Sequence, residues 1–309
     1  MCDKVSEKRI AIIGANGFLG TAIQSVLKNS GYAITKTSRN PKLGSGEETI
    51  QLDLFNPATW ENLFSIIKPD IVICTAWETT HSKYWTSELN LMYMNYTKKF
   101  AEECFNKSVV KFIGIGSMSE YGYSPGRCNS KFNDVNPQDL YSESKVIASL
   151  GVSEIASNYG KKANWLRLFQ PYGLNEKMER LIPKVINLMI DGSPISINYP
   201  EHQLDFTNAN DIAKAVELII EVDFEYYVDI GTGIPTSVRK LVEKLASIAE
   251  YKLKDSNFKS IDIFNERNIY VDSQAEIFLK GWSPLRNLSG HLDEYYKEFK
   301  RRKLSGHLV

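Results

Sequence analysis

Tyr141 and Lys145 stand four positions apart in Tyr141-Ser142-Glu143-Ser144-Lys145. On a helix that spacing puts both side chains on one face. An ammonium beside a phenol favours the phenolate, so the phenol pKa is expected to move from about 10 toward neutrality. A tyrosine tuned in this way serves as a general acid or base near pH 7. The spacing alone is common. It is sharpened by Gly116-Ser117-Met118-Ser119, where a hydroxyl is placed to hydrogen-bond a substrate carbonyl oxygen.

A second chemical signal lies near the start of the chain. Gly14-Ala15-Asn16-Gly17-Phe18-Leu19-Gly20 spaces its glycines GxxGxxG between an apolar run and a helical pattern. Gly14 allows a tight turn, and Gly17 lets the backbone approach a pyrophosphate. Gly20 lets the helix pack close to a sheet, and the helix N-terminus offers amides to the anion. About 20 positions past the glycines, an acidic residue usually takes the ribose 2′-hydroxyl of NAD. Here the segment reads Thr37-Ser38-Arg39-Asn40. A hydroxyl and a guanidinium fork suit a 2′-phosphate, so NADP(H) is the expected cofactor. A solvated basic turn with Lys36 and Lys42 is the alternative. Asp53-Leu54 is placed to meet the adenine edge, or is simply a turn.

The elements that must position these groups alternate between two periodicities. Short apolar runs at residues 9–13, 33–37, up to Leu52, 71–74, 109–115, 164–169 and 226–230 read as strands. Helical patterns cover 18–27, the segment after Pro57, 87–106, 140–158, 181–190, 211–221, 236–251 and 287–301. A further short strand is expected at 195–197. Strands that are apolar throughout, separated by helices, predict a Rossmann-type doubly wound parallel sheet with helices on both faces. A smaller C-terminal α/β lobe is expected to hold the substrate. We place the dinucleotide domain at 1–170, with a return segment at about 205–234. The substrate lobe takes 171–204 and 235–309.

Composition excludes several classes. Of the 309 residues, 37 are basic and 37 acidic, so no net charge recruits nucleic acid or an anionic membrane. No stretch reaches the roughly 18 to 20 apolar residues of a membrane span. The charged start Met1-Cys2-Asp3-Lys4 does not look like a signal peptide. Cys2, Cys74, Cys104 and Cys128 form no metal or disulfide pattern, so free thiols and a cytoplasmic location are expected. No metal is expected.

Together these motifs resemble the extended short-chain dehydrogenase/reductase family, in its nucleotide-sugar-modifying branch, over nearly the whole chain. The GxxGxxG turn matches at Gly14, Gly17 and Gly20, and the Ser/Thr-Tyr-Lys triad falls on Ser117, Tyr141 and Lys145. Glu120-Tyr121-Gly122 and Arg167-Leu168-Phe169-Gln170-Pro171-Tyr172-Gly173 match later segments. So do Asp205-Phe206, Asp211-Ile212-Ala213, Ile230-Gly231-Thr232-Gly233 and Gly281-Trp282-Ser283-Pro284.

The resemblance implies dinucleotide contacts from Gly14, Asn16, Gly17, Phe18, Leu19, Gly20, Ser38, Arg39, Asp53, Leu54, Thr75, Ala76, Trp77, Tyr141, Lys145 and Pro171. It implies substrate contacts from Ser117, Met118, Ser119, Tyr141 and Gln170. The loop Trp77–Trp85 either lines the substrate cleft or caps the sheet. Three departures matter. Gln170 replaces an asparagine. Leu204 replaces a diphosphate-binding arginine, for which Arg180 or Arg267 stands in. Met118 and Ser119 replace the Asp-Glu pair that dehydratases use for elimination.

The resemblance thus implies NADPH-dependent reduction of the C4 keto group of a 4-keto-6-deoxy nucleotide sugar. A nucleotide-sugar 4-epimerase with tightly bound NAD(P) is the alternative. A non-catalytic redox-sensing or scaffold role runs against the intact Ser117, Tyr141 and Lys145. A homodimer built through a four-helix interface of 87–106 and 140–158 is also implied.

Overall fold

The computed structural model describes residues 8–41, 49–123, 125–130, 134–223, 227–259, 267–272, 281–284 and 287–306. Met1, Cys2, Asp3, Lys4 and Lys42, named above, lie outside the described residues, as does position 226 of the expected strand. The first half runs β1 (Arg9–Ile13), α1 (Phe18–Asn29), β2 (Ala33–Ser38), β3 (Thr49–Gln51), α2 (Glu61–Ile66) and β4 (Ile71–Cys74). It continues through α3 (Leu89–Asn106), β5 (Lys111–Ser117), β6 (Gly126–Cys128), α4 (Leu140–Asn158) and β7 (Lys162–Leu168). The second half runs β8 (Pro171–Tyr172), α5 (Leu181–Ile190), β9 (Gln203–Leu204), β10 (Thr207–Asn208), α6 (Ala209–Glu221) and β11 (Tyr227–Ile230). The last elements are β12 (Thr236–Ser237), α7 (Val238–Ala249), β13 (Asn268–Val271) and α8 (Leu288–Leu304).

Seven strands form one parallel sheet in the order β11-β7-β5-β4-β1-β2-β3. Their apolar runs are continuous because both faces are covered. Ile10, Ile12 and Ile73 pack with α1 and α6 on one side. Ala11, Ile13 and Val72 pack with α2, α3 and α4 on the other. The strand order reverses at β1 and β4, and the crevice at their carboxyl ends is where ligands of such sheets bind. This is the Rossmann-type arrangement expected from the sequence.

The second core holds Phe169, Tyr172, Ile186, Leu241, Leu245 and Leu292 and sits beside the crevice. It carries a four-stranded sheet in the order β12-β9-β13-β6.

Two expectations shift. The fifth strand starts at Lys111 and runs to Ser117, because Val109 is spent closing α3: its N–H donates to the Cys104 carbonyl at 3.2 Å. Residues 195–197 form no strand. Ile195 and Ile197 are buried in the lobe, and Ile197 makes one isolated bridge to Phe258. Their alternation records burial rather than a ladder.

Candidate active site

The glycine turn leaves β1 at Gly14, whose φ is +83°. A Cβ there would lie 2.7 Å from Thr75 Oγ1 and 2.9 Å from the Ala76 amide nitrogen, so only glycine lets β1 and β4 close on each other. Thr75 Oγ1 donates to the Ile13 and Gly14 carbonyls at 3.0 and 3.1 Å. Gly17 is the N-cap of α1, which has no side-chain cap and no acidic residue in its first turn. Those amides face a cavity of about 690 Å³ that runs along the crevice. An uncapped helix start of this kind suits a pyrophosphate.

The same cavity is lined by Asn16, Phe18, Leu19, Ser38, Arg39, Asp53, Leu54, Thr75, Ala76, Trp77 and Pro171. Of the glycines, Gly14 and Gly17 line it and Gly20 does not. Gly20 lies behind the turn, where a Cβ would meet the Gly14 carbonyl oxygen at 2.3 Å, so its part is packing rather than ligand contact. Asp53, expected at the adenine edge or in a turn, is in a turn at the cavity wall, where its Oδ1 accepts the Phe55 N–H at 3.0 Å.

At the far end the cavity meets Ser117, Met118, Ser119, Tyr141, Lys145, Gln170, Arg180 and Arg267. Ser117 ends β5 and caps a short helical turn, 118–121. Its Oγ accepts the Ser119 N–H at 3.2 Å, and Glu120 Oε1 accepts the Ser117 N–H at 2.9 Å. Glu120 is wholly buried. Its Oε1 also accepts from Trp165 Nε1 at 3.1 Å, and its Oε2 accepts from Arg167 Nε at 2.8 Å. Arg167 donates on to the Tyr121 hydroxyl at 3.1 Å, and that hydroxyl donates to Asp229 Oδ2 at 2.7 Å. A Cβ on Gly116 would lie 2.4 Å from Trp165 Nε1 and 2.5 Å from Glu120 Oε1, so the glycine admits this network beneath the site.

Asp139 starts α4 by accepting the Ser142 N–H at 2.8 Å, which fixes the turn carrying Tyr141. Tyr141 and Ser117 line the same end of the cavity, and the Ser117 side chain favours the phenolate. The Tyr141 ring meets Tyr84 and Trp85 at centroid distances of 4.9 and 5.7 Å. The expected lowering of the phenol pKa is not found here. Burial among these rings pushes Tyr141 up, and the Ser117 side chain opposes this only in part. Lys145 is turned away from the hydroxyl. Its Nζ donates to the Ile115 carbonyl at 2.5 Å and sits 3.9 Å from the Trp77 ring centroid. Burial pushes this amine down to about 7.

Arg180 and Arg267 both reach the cavity, each laid on aromatic faces. Arg180 is 5.3 Å from the Tyr84 ring, and Arg267 is 4.9 Å from Trp85 and 4.8 Å from Tyr123. Leu204 is buried in the lobe sheet. The loop Trp77–Trp85 is therefore a wall of the site.

Sequence reasoning missed Phe55, Tyr93 and Glu176, which also line the cavity. Tyr93 had a signal in its helical spacing with Tyr96 and Phe100. Glu176 had none. Burial pushes its carboxyl up to about 8, against the pull of Arg180 and the Gly173 backbone. Phe100 is core, packed on Trp60 at 5.0 Å.

Among the described residues no group of histidine, cysteine and carboxylate side chains is placed to hold a metal, and Cys74, Cys104 and Cys128 are free. No helix among them is long and apolar enough to cross a membrane.

The chain is similar to the dTDP-6-deoxy-L-talose 4-dehydrogenase (NAD(+)) of Aggregatibacter actinomycetemcomitans, at 24% identity over 79% of this chain and 91% of that protein. It is similar to the dTDP-4-dehydro-6-deoxyglucose reductase of Escherichia coli, at 25% identity over 65% of this chain and 66% of that protein. Its fold matches the UDP-glucose 4-epimerase of Thermotoga maritima with a TM-score of 0.82, at 22% identity, over 96% of this chain and 99% of that one. The family model for NAD dependent epimerases and dehydratases matches residues 10–228, which hold the glycine turn, Ser117, Tyr141 and Lys145. With that match over most of its length, the chain belongs to the NAD dependent epimerase/dehydratase family.

Proposed function

We propose that the protein is an NADPH-dependent reductase of the C4 keto group of a 4-keto-6-deoxy nucleotide sugar, working in deoxysugar biosynthesis. One observation carries the reading: a single cleft joins Ser38 and Arg39 to the hydroxyls of Ser117 and Tyr141, with Met118 and Ser119 beside them. Neither Met118 nor Ser119 exchanges a proton near pH 7, so 4,6-elimination lacks its acid and base. The two curated relatives above carry names of enzymes that oxidise or reduce a 6-deoxy sugar, which supports the same step.

The cofactor, when bound, supplies a hydride to the carbonyl carbon. Tyr141 gives its phenolic proton to the carbonyl oxygen, and Ser117 shares that hydrogen bond. Lys145 holds the nicotinamide ribose, while Gly14, Gly17 and the α1 amides hold the pyrophosphate. Arg180 and Arg267 take the sugar-nucleotide diphosphate in place of the absent arginine at Leu204. The dinucleotide unit is 1–170 with 205–234, and the substrate lobe is 171–204 with 235–309. Two copies pair through α3 and α4, where Leu89, Leu91, Met92, Ile147 and Leu150 are exposed. The location is cytoplasmic. The second reading, a nucleotide-sugar 4-epimerase with a tightly held NAD(P), is favoured by the fold match to the Thermotoga enzyme.

The cofactor choice has its own test. NADPH binds more tightly than NADH, because Ser38 and Arg39 meet the 2′-phosphate. Charge-assisted hydrogen bonds of this kind are worth roughly 1.5 to 3 kcal/mol, or about ten- to a hundredfold in affinity. Titrating both cofactors into wild type and Arg39→Ala measures it. The variant loses the preference; equal affinities in the wild type exclude the assignment.

A further inference from the structure

The loop that walls the site is pinned by one buried amide. Asn90, near the start of α3, has no exposed surface. Its Oδ1 accepts the Trp77 Nε1–H at 2.9 Å. Its Nδ2 donates to the Tyr84 carbonyl at 2.6 Å and the Ser87 carbonyl at 2.9 Å. The beginning and the end of the loop are thus fixed by the same side chain. Trp77 is further held by stacking on Tyr93, with centroids 5.6 Å apart and planes 24° from parallel. At the other end the Trp85 carbonyl accepts the Tyr141 N–H at 3.2 Å.

Lys145 depends on what faces it. It is 3% exposed, and burial favours the neutral amine, bringing it to about 7. Glu120, from the turn after β5, favours the ammonium, and Cys74, at the end of β4, would do so only as a thiolate. The Cys74 thiol is itself pushed up by burial to about 11, so it stays neutral between pH 6 and 9. Glu120 is already engaged by Arg167, Trp165 and Ser117. Tyr141 on the same helix and Trp165 on β7 present rings at 5.7 and 5.8 Å. The Trp77 face is closer, at 3.9 Å. A desolvated cation over an indole at this distance gains the equivalent of about a tenfold rise in proton affinity.

We propose that Trp77 is a positioning residue for Lys145: Asn90 holds its ring face against the amine, and the ring keeps Lys145 an ammonium ready for the ribose hydroxyls of the dinucleotide. The role rests on the reading that the cleft takes a dinucleotide. It does not depend on whether the reaction is reduction or epimerisation.

The test is the dissociation constant of NADPH, read by its fluorescence from pH 6 to 9, in wild type, Trp77→Phe, Trp77→Leu and Lys145→Met. Binding weakens as Lys145 loses its proton, so wild-type affinity falls as pH rises through about 7. In Trp77→Leu that fall starts about one pH unit lower. The variant then binds within about threefold of wild type at pH 6 and roughly tenfold more weakly at pH 8. Trp77→Phe keeps a ring face but loses the Asn90 hydrogen bond, so its fall starts between those of wild type and Trp77→Leu. Lys145→Met lacks this limb, and adding Trp77→Leu to it restores no pH dependence. A Trp77→Leu protein weakened equally at pH 6 and pH 8 overturns the proposal and leaves Trp77 a plain wall. A wild type that binds neither NADPH nor NADH overturns the dinucleotide reading itself, and this inference with it.

Discussion

Tyr141→Phe folds, binds the dinucleotide and loses most of its turnover, by about 10²- to 10⁴-fold. The change removes one oxygen and keeps the ring in its contacts with Tyr84 and Trp85. The main chain at this position still donates to the Trp85 carbonyl, so the loop and the start of α4 keep their geometry. What is lost is the proton. Burial holds the phenol above its ordinary pKa, so in the free protein it is protonated throughout the neutral range. That is the state a proton donor to a developing alkoxide requires. Comparing kcat/KM and the NADPH dissociation constant in wild type and variant separates chemistry from binding. A variant that keeps half its turnover shows that the proton comes from another group.

Glu120→Gln is expected to cost about 3 to 5 kcal/mol of stability, measured by urea unfolding. Glu120 and Arg167 are a buried pair, their side chains 0% and 5% exposed. Removing the carboxylate charge leaves the buried guanidinium with Asp229, beyond the Tyr121 hydroxyl, as its counter-charge. Arg167 would retain the Tyr121 hydroxyl, a neutral acceptor and a poor substitute. The double change Glu120→Gln with Arg167→Met removes both charges and recovers much of the loss, because a buried pair is costly mainly when half of it remains. Glu120 also holds the Ser117 N–H, so the single variant loses turnover beyond what its folded fraction explains. A loss under about 1 kcal/mol shows that water reaches the pair or that Asp229 suffices as counter-charge.

The parts of the site legible in the sequence are those set by local geometry. The glycine turn, its following helix and the Tyr141–Lys145 spacing are constrained by neighbours in the chain, and Gly14, Gly17, Tyr141 and Lys145 line the cleft. Arg180 and Arg267, the stand-ins for the arginine replaced by Leu204, both reach it. The charge states were not legible, because they depend on partners far away in sequence. Tyr141 is buried by the Trp77–Trp85 loop, far earlier in the chain, and Lys145 turns to Ile115 and Trp77 rather than to the phenol. The support of Ser117 was hidden for the same reason, since Glu120 meets Arg167 across 47 positions. Strand limits slipped where one residue serves two elements, as Val109 does in closing α3.

The most direct test of the proposed reaction is the stoichiometry of NADPH against keto-sugar. A reductase must release oxidised cofactor and take up NADPH in every turn, whereas an epimerase regenerates its cofactor and gains by never letting it go. The purified protein, free of bound dinucleotide, is supplied with NADPH and a 4-keto-6-deoxy nucleotide sugar. The account predicts loss of one NADPH absorbance equivalent per keto group reduced. A protein that instead purifies with one tightly held dinucleotide, and interconverts two 4-hydroxy nucleotide sugars with no net loss of NADPH, contradicts it and establishes the epimerase.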